Sequence, residues 1–335
     1  MLMRTLFCLA AVAVSFWGAA QAADPWVVYQ GTEGPGKGKH IVFVSGDDEY
    51  RSEEACPMLA KILAVRHGFK CTVLFAIDPA TGLIKPDYQQ NIPGTHLLKD
   101  ADMLVMHARF RELPDEQMAP IVEFTNSGKP ILGLRTSTHA FNYGKNKNSP
   151  YAKFSWTSKE PAGGWGQSVL GETWISHHGH HGKESTRGVI NPALASHPIV
   201  KGCGDIWGPS DVYGVVHLSG TDQVLVHGQV LEGMKPEDKA VAGKKNEPMM
   251  PLVWTRDYKG ETGKTSKVIC TTMGASVDLE SEGLRRLVLH SCFWGLGLES
   301  SITEKTNVEY VGEYKPLMFG FGKYKQGLKP SDFDL

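Results

Sequence analysis

Pro130-Ile-Leu-Gly-Leu-Arg-Thr-Ser-Thr-His-Ala-Phe141 is the stretch whose reading decides the fold. Behind the Gly128-Lys129-Pro130 breaker, Ile131, Leu132 and Leu134 form a short apolar run that reads as a buried strand. Within four residues the chain turns polar, through Arg135, Thr136, Ser137, Thr138 and His139. An apolar strand ending in such residues is what a doubly wound α/β sheet places beneath its ligand crevice.

The chain before this stretch repeats the pattern. His40–Gly46 is continuously apolar, as a parallel strand buried on both faces should be. A polar loop, Asp47-Asp48-Glu49-Tyr50-Arg51-Ser52-Glu53-Glu54, follows it. A helix then runs to about His67, with Gly68 as its stop. Because Pro57 suits only a first turn, its start is expected near Glu54 or Ala55. Strands are expected over Phe69–Ile77 and Ala101–Ala108, and a helix over Asp115–Ser127. Further on, Gln223–His227, Pro251–Arg256 and Lys267–Met273 read as strands, and Asp278–Leu298 as one buried helix. Residues 23–39 read as a surface lead-in, 78–100 and 142–182 as long loops, and 303–335 as an irregular tail. Strands alternating with helices predict a mostly parallel sheet covered on both faces. The later strands, with little helix between them, predict an antiparallel extension. No linker divides residues 23–335, so one domain is expected, with its core at about 38–300.

The first 22 residues read as a secretory signal. Arg4 supplies the positive start, Thr5–Ala20 is almost wholly apolar or small, and Ala20-Gln21-Ala22 has the A-x-A cleavage pattern. The reading implies export, to a periplasmic or extracellular location, and no membrane anchor after cleavage near Ala22/Ala23. With 35 basic and 36 acidic residues the charge is nearly balanced, which gives no footing for nucleic acid. Of the six cysteines, the five beyond Cys8 show no disulfide or zinc spacing and read as small buried apolar residues. The oligomeric state leaves no trace in the sequence.

In a parallel sheet the C-terminal strand ends share one edge. That edge would carry Asp47, Asp48, Glu49 and Arg51, then His107, Arg109 and Arg111, then Arg135, Thr136, Ser137 and His139. Such a mixture of carboxylates, guanidinium forks and imidazoles can hold a hydroxyl-rich ligand and move protons. His139 is the acid–base candidate, unless it serves to fix its own loop. Arg135, with His107, completes the expected catalytic set; it should either grip the ligand or pair with the Asp47–Glu49 loop. Asp47, Glu49, Arg51, Arg109 and Thr136 would bind substrate, with His178 or His180 closing over it. The run His177-His178-Gly179-His180-His181 raises zinc, but adjacent histidines on an irregular segment cannot all face one ion. No metal ligand is therefore assigned, no cofactor is expected, and folding should need no metal. The sequence holds no G-x-G-x-x-G after the first strand, no phosphate loop and no G-x-S-x-G elbow.

Taken in order, several segments resemble the trehalose-utilisation, or ThuA-like, family. They are Phe43–Arg51, Gly133–Phe141, Leu170–His178, His197–Gly202, Asp211-Val-Tyr213, Pro251–Trp254, Lys267–Gly274, and Leu284–His290 running into Trp294. The resemblance implies a flavodoxin-like sheet similar to the class I glutamine amidotransferase domain, and a role around disaccharides or oxidised, 3-keto-type sugars. Glutamine amidotransferases carry a cysteine at the elbow after this strand. Here Arg135-Thr136 stands there, which argues against a glutaminase. Many ThuA-like proteins have histidine near the same turn, which leaves His139 as the nearby imidazole in this chain. Three functions follow as alternatives: an exported carbohydrate-processing enzyme working by proton transfer without nucleotide, a non-catalytic sugar- or glycan-binding domain, or a zinc-dependent hydrolase. Trp156, Trp165 and Trp174 suit stacking on sugar faces as well as core packing.

Overall fold

The computed structural model describes residues 24–335. The expected signal segment, residues 1–22, lies outside them. Apolar-continuous strands force burial on both faces, and the chain meets that demand with a ten-stranded mixed sheet. Its parallel centre consists of β2 (His40–Gly46), β3 (Lys70–Phe75), β4 (Met103–Ala108), β5 (Ile131–Leu134) and β10 (Thr265–Thr271). Across the sheet these run β3-β2-β4-β5-β10, all parallel to one another. Register aligns Gly46 with Ala108, and Leu134 with Thr271, so Asp47, Arg109, Arg135 and Thr272 all leave the same edge.

Alternation along each strand divides the core in two. Ile41 and Phe43 face α1 (Ser52–His67) and α3 (Glu282–Gly295). Val42 and Val44 share the opposite layer with Met118, Ile121 and Phe124 of α2 (Asp115–Thr125). Trp165 lies wholly in this second layer, its indole N–H bonded to Thr125 Oγ1 at 3.1 Å, so it is a core residue and not a sugar platform. Beyond β10 the sheet continues antiparallel through β9 (Met250–Lys259), β8 (Gln223–Val230), β6 (Thr186–Ile190) and β7 (Ile206–Gly208). Cys56, Cys71, Cys203, Cys270 and Cys292 are all buried and unpaired, as their scattered spacing predicts. No helix among the described residues is long and apolar enough to cross a membrane.

Three local expectations need correction. The lead-in is partly a strand, β1 (Trp26–Gln30), antiparallel to β3, with Val27 and Tyr29 turned into the core. The closing helix is broken: a 3₁₀ turn over Ser276–Glu280 stops at Ser281, whose hydroxyl caps α3 by accepting from Leu284 N at 3.3 Å. Asp278 does not start that helix. Its carboxylate instead takes the N–H groups of Gly274, Ala275 and Ser210, each at 3.0 Å. Finally α1 begins at Ser52, earlier than Pro57 suggested, so Pro57 sits inside the helix.

That early start buries Glu53, whose two carboxylate oxygens find no hydrogen-bond partner. Burial pushes its pKa up, from 4.5 to about 8. A raised carboxyl binds its proton more tightly in the folded chain. Its stabilising contribution is therefore full below pH 4.5 and is lost as pH rises through about 8. Glu53→Gln, which keeps the neutral shape, should raise the melting temperature at pH 9 and leave it nearly unchanged at pH 4. Thermal melts showing the same change at both pH values would refute this.

Candidate active site

Backbone strain concentrates at the sheet edge just described. Arg51, Phe110 and Arg135 are the non-glycine residues at positive φ among those described, at 59°, 51° and 45°. Each follows a central strand, and such strain costs roughly 1–3 kcal/mol unless neighbouring contacts impose it.

At Arg135 those contacts are plain. The guanidinium is fully buried. It donates to the Asp211 carbonyl at 2.7 Å, the Thr272 carbonyl at 2.5 Å, Tyr50 Oη at 3.1 Å and Asp211 Oδ1 at 2.9 Å. Tyr213 and Tyr50 lie against it, 3.7 and 4.5 Å from ring centre to guanidinium carbon. So Arg135 pairs with Asp211, not with the Asp47–Glu49 loop, and has no face left for a ligand. Burial alone would raise the Asp211 carboxyl, but Arg135 and the imidazoles of His177 and His181 hold it well below the ordinary range.

The rest of the Arg135–His139 turn is equally committed. Thr136 donates its hydroxyl to Asp47 Oδ2. Ser137 bonds the carbonyls of Met106 and Leu134 at 2.6 and 2.8 Å, and Thr138 bonds His139 Nδ1 at 3.0 Å. Asp47 accepts the backbone N–H groups of Glu49 and Tyr50 at 2.7 and 2.8 Å, so it shapes the loop. Burial favours its protonated form, yet His107, Thr136 and these N–H groups keep it lowered. His107 lies beneath it, Nε2 3.7 Å from Asp47 Oδ2, fully buried and with neither ring nitrogen hydrogen-bonded. Burial drives it down to about 4, so at neutral pH it is an uncharged packing neighbour out of reach of the crevice.

What faces the crevice is a smaller group. Arg109 pairs with Asp48 at 2.9 Å and lies 3.8 Å from Glu49. His139 and Arg109 flank the same Phe110 ring, at 5.1 and 4.4 Å. Trp174 and Tyr213 cover other sides of His139, at 5.2 and 6.2 Å, and Trp156 packs on Phe110 at 5.6 Å. Burial, then the Arg109 charge, push His139 well below the ordinary imidazole range, while its Nε2 carries no bond to protein. Burial and Asp47 raise Glu49 despite Arg109 and His181.

Four expected residues point elsewhere. Arg111 is buried, donating to the carbonyls of Arg109 and Tyr88. Arg51 reaches away to the Gly320 carbonyl of the C-terminal tail. His178 bonds the Lys245 carbonyl at 2.8 Å, and His180 is exposed beside Glu184. The turn brings in the other two imidazoles: His177 Nδ1 lies 2.7 Å from Asp211 Oδ2, and His181 Nδ1 lies 3.1 Å from Asp211 Oδ1. His181 Nε2 also sits 3.3 Å from Glu49 Oε1. Their i,i+4 spacing was visible in the sequence. Asp211 had no such signal, and neither did the tail, which closes the rim with Phe319 on His181 at 5.2 Å and Phe321 on Arg109 at 4.8 Å.

Among solved structures the chain is similar to a protein described as ThuA-like from Parabacteroides merdae ATCC 43184, at 16% identity and TM-score 0.46 over 78% of this chain and 90% of that one. It is also similar to one so described from Bacteroides uniformis ATCC 8492, at 12% identity and TM-score 0.47 over 86% of this chain and 99% of that one. No family profile and no curated protein matches the sequence. Likenesses this distant leave the chemistry of the site to its own geometry.

Removing one partner of a buried ion pair strands the other. Arg135→Met should therefore cost ~3–5 kcal/mol of stability, and Arg135→Lys should recover only part, because an ammonium cannot serve the carboxylate, Tyr50 and two carbonyls at once. Urea unfolding midpoints measure this. A wild-type midpoint in either variant would contradict it.

Proposed function

We propose that the protein is an enzyme that acts on a carbohydrate, of the disaccharide or 3-keto-sugar class, by proton transfer in this crevice and without nucleotide. The observation that carries the reading is His139: an imidazole kept neutral, its Nδ1 fixed by Thr138, its Nε2 free, and half-buried aromatic faces around it. Nε2 would accept a proton from a hydroxyl, or from a carbon next to a keto group. Arg109 would stabilise the oxyanion that develops, and Glu49 and Asp48 would orient it. Phe110, Trp156 and Trp174 offer apolar faces to the ring.

The strand order supports a flavodoxin-like, amidotransferase-like sheet: numbered along the chain, the parallel strands run 2-1-3-4-5. With Arg135 at its elbow, buried and held by four hydrogen bonds, that position has no nucleophile, which supports the expectation that glutamine is not the substrate. The loop after β2 speaks against phosphate for a physical reason. Its N–H groups at Glu49 and Tyr50, the donors a phosphate would need, already bind Asp47. In this reading residues 23–335 form one exported domain whose partner is a small sugar.

Incubation with unmodified and 3-keto disaccharides in D₂O, followed by mass spectrometry, tests the proposal. Product or deuterium uptake is expected, with His139→Ala slower by roughly a hundredfold or more. The acid limb of kcat/KM should fall below pH ~6.5, since burial holds the base deprotonated to lower pH. Saturable sugar binding with neither exchange nor product would make this a non-catalytic binding domain and overturn the proposal.

A further inference from the structure

The side chains of His177, His181 and Asp211 bring two imidazole nitrogens and a carboxylate oxygen within 4.8 Å of one another. We propose that they bind one exchangeable divalent cation of the zinc or cobalt class at the mouth of the crevice, an inference independent of the sugar chemistry above.

Donor spacing supports it first. Zinc bound tetrahedrally at ~2.0–2.2 Å separates its ligand atoms by roughly 3.4 Å. The Nδ1 atoms already stand 2.7 and 3.1 Å from the two Asp211 oxygens, so small side-chain rotations would seat an ion. A second, separate observation comes from the outward side of His181. A metal-bound histidine characteristically donates its other ring N–H to a carboxylate. With Nδ1 on the ion, His181 Nε2 is the atom left over, and it lies 3.3 Å from Glu49 Oε1. Asp211 has its own support, since Arg135 holds its Oδ1 at 2.9 Å from behind.

The accessibility of the group sets the kind of site. Asp211 is fully buried, while the side chains of His177 and His181 are 39% and 34% exposed. An ion there would be open on the crevice side, as catalytic zinc sites are and structural ones are not. Two nitrogens and one oxygen suit zinc, cobalt or nickel better than magnesium or calcium, which prefer all-oxygen shells. The fold would not depend on the ion, because Arg135 already balances the Asp211 charge. The sequence alone assigns no metal ligand; in this proposal the first and last histidines of the run serve, and folding stays independent of metal.

The test uses the full chain, stripped with chelator and titrated with Zn²⁺ and Mg²⁺ by calorimetry and with Co²⁺ by visible absorption. One Zn²⁺ per chain is expected, with tetrahedral-type Co²⁺ bands and no comparable Mg²⁺ binding. His177→Ala and His181→Ala should each weaken Zn²⁺ at least tenfold, and Glu49→Gln about tenfold. His178→Ala and His180→Ala, whose rings point away, should bind as the wild type does. Circular dichroism should show all variants folded; the partly exposed histidines make better probes than Asp211, whose loss would strand Arg135. Absence of stoichiometric binding would overturn the proposal. So would equal losses in the His178 and His180 variants, which would mark the ion as a surface adduct of the whole run.

Discussion

A guanidinium sealed from water needs polar partners in place of it, and for Arg135 the chief one is the Asp211 carboxylate. The bond joins parts of the chain far apart in sequence. Arg135 ends the central strand β5, Asp211 belongs to the excursion that builds the antiparallel extension, Thr272 follows β10, and Tyr50 follows β2. Ion pairs of this kind contribute little net stability relative to an apolar substitute, because desolvation offsets the attraction. Their effect is positional. Here the planar fork meets four acceptors, and the positive φ of Arg135 is held by that set of contacts.

The same carboxylate governs the crevice. One oxygen of Asp211 faces Arg135 and His181, the other faces His177. Orientation of both imidazoles thus passes through a residue that never meets solvent. On the opposite rim the C-terminal tail supplies the cover. Leu317 N donates to Glu54 Oε2 at 2.9 Å and Gly320 N to the Glu49 carbonyl at 2.8 Å, which seats Phe319 and Phe321 beside His181 and Arg109. A segment with no regular structure of its own is tied down by side-chain and backbone bonds to the loop after β2 and the first turn of α1.

Strand ends were legible because burial on both faces leaves a one-dimensional trace. His40–Gly46 and Ile131–Leu134 could be placed to the residue, and topology then put Glu49, Arg109 and His139 on one edge. What failed depended on rotation or on distance. Which of four histidines turn inward is set by the backbone N–H groups of His178 and Gly179, which share the Val212 carbonyl. Nothing in their order shows that. β1 escaped notice because an edge strand of five residues carries only two inward side chains, Val27 and Tyr29. Asp211 and Phe319 escaped it because their partners lie 30 and more residues away, and local pattern is silent about such contacts.

Charge in the crevice bears on what can enter it. Arg135 and Asp211 neutralise each other below the surface, and Arg109 is shared between Asp48 and Glu49. Arg109, the guanidinium beside His139, has its charge balanced by both carboxylates. Glu49 in turn also faces His181. Under the proposed function, this balanced set of donors and acceptors between aromatic faces would suit an uncharged polyol better than a nucleotide or a basic peptide. The tail reinforces the preference. By covering Arg109 with Phe321 it replaces water over the cation with an aromatic ring. In that proposal a sugar's C–H face would pack against the ring.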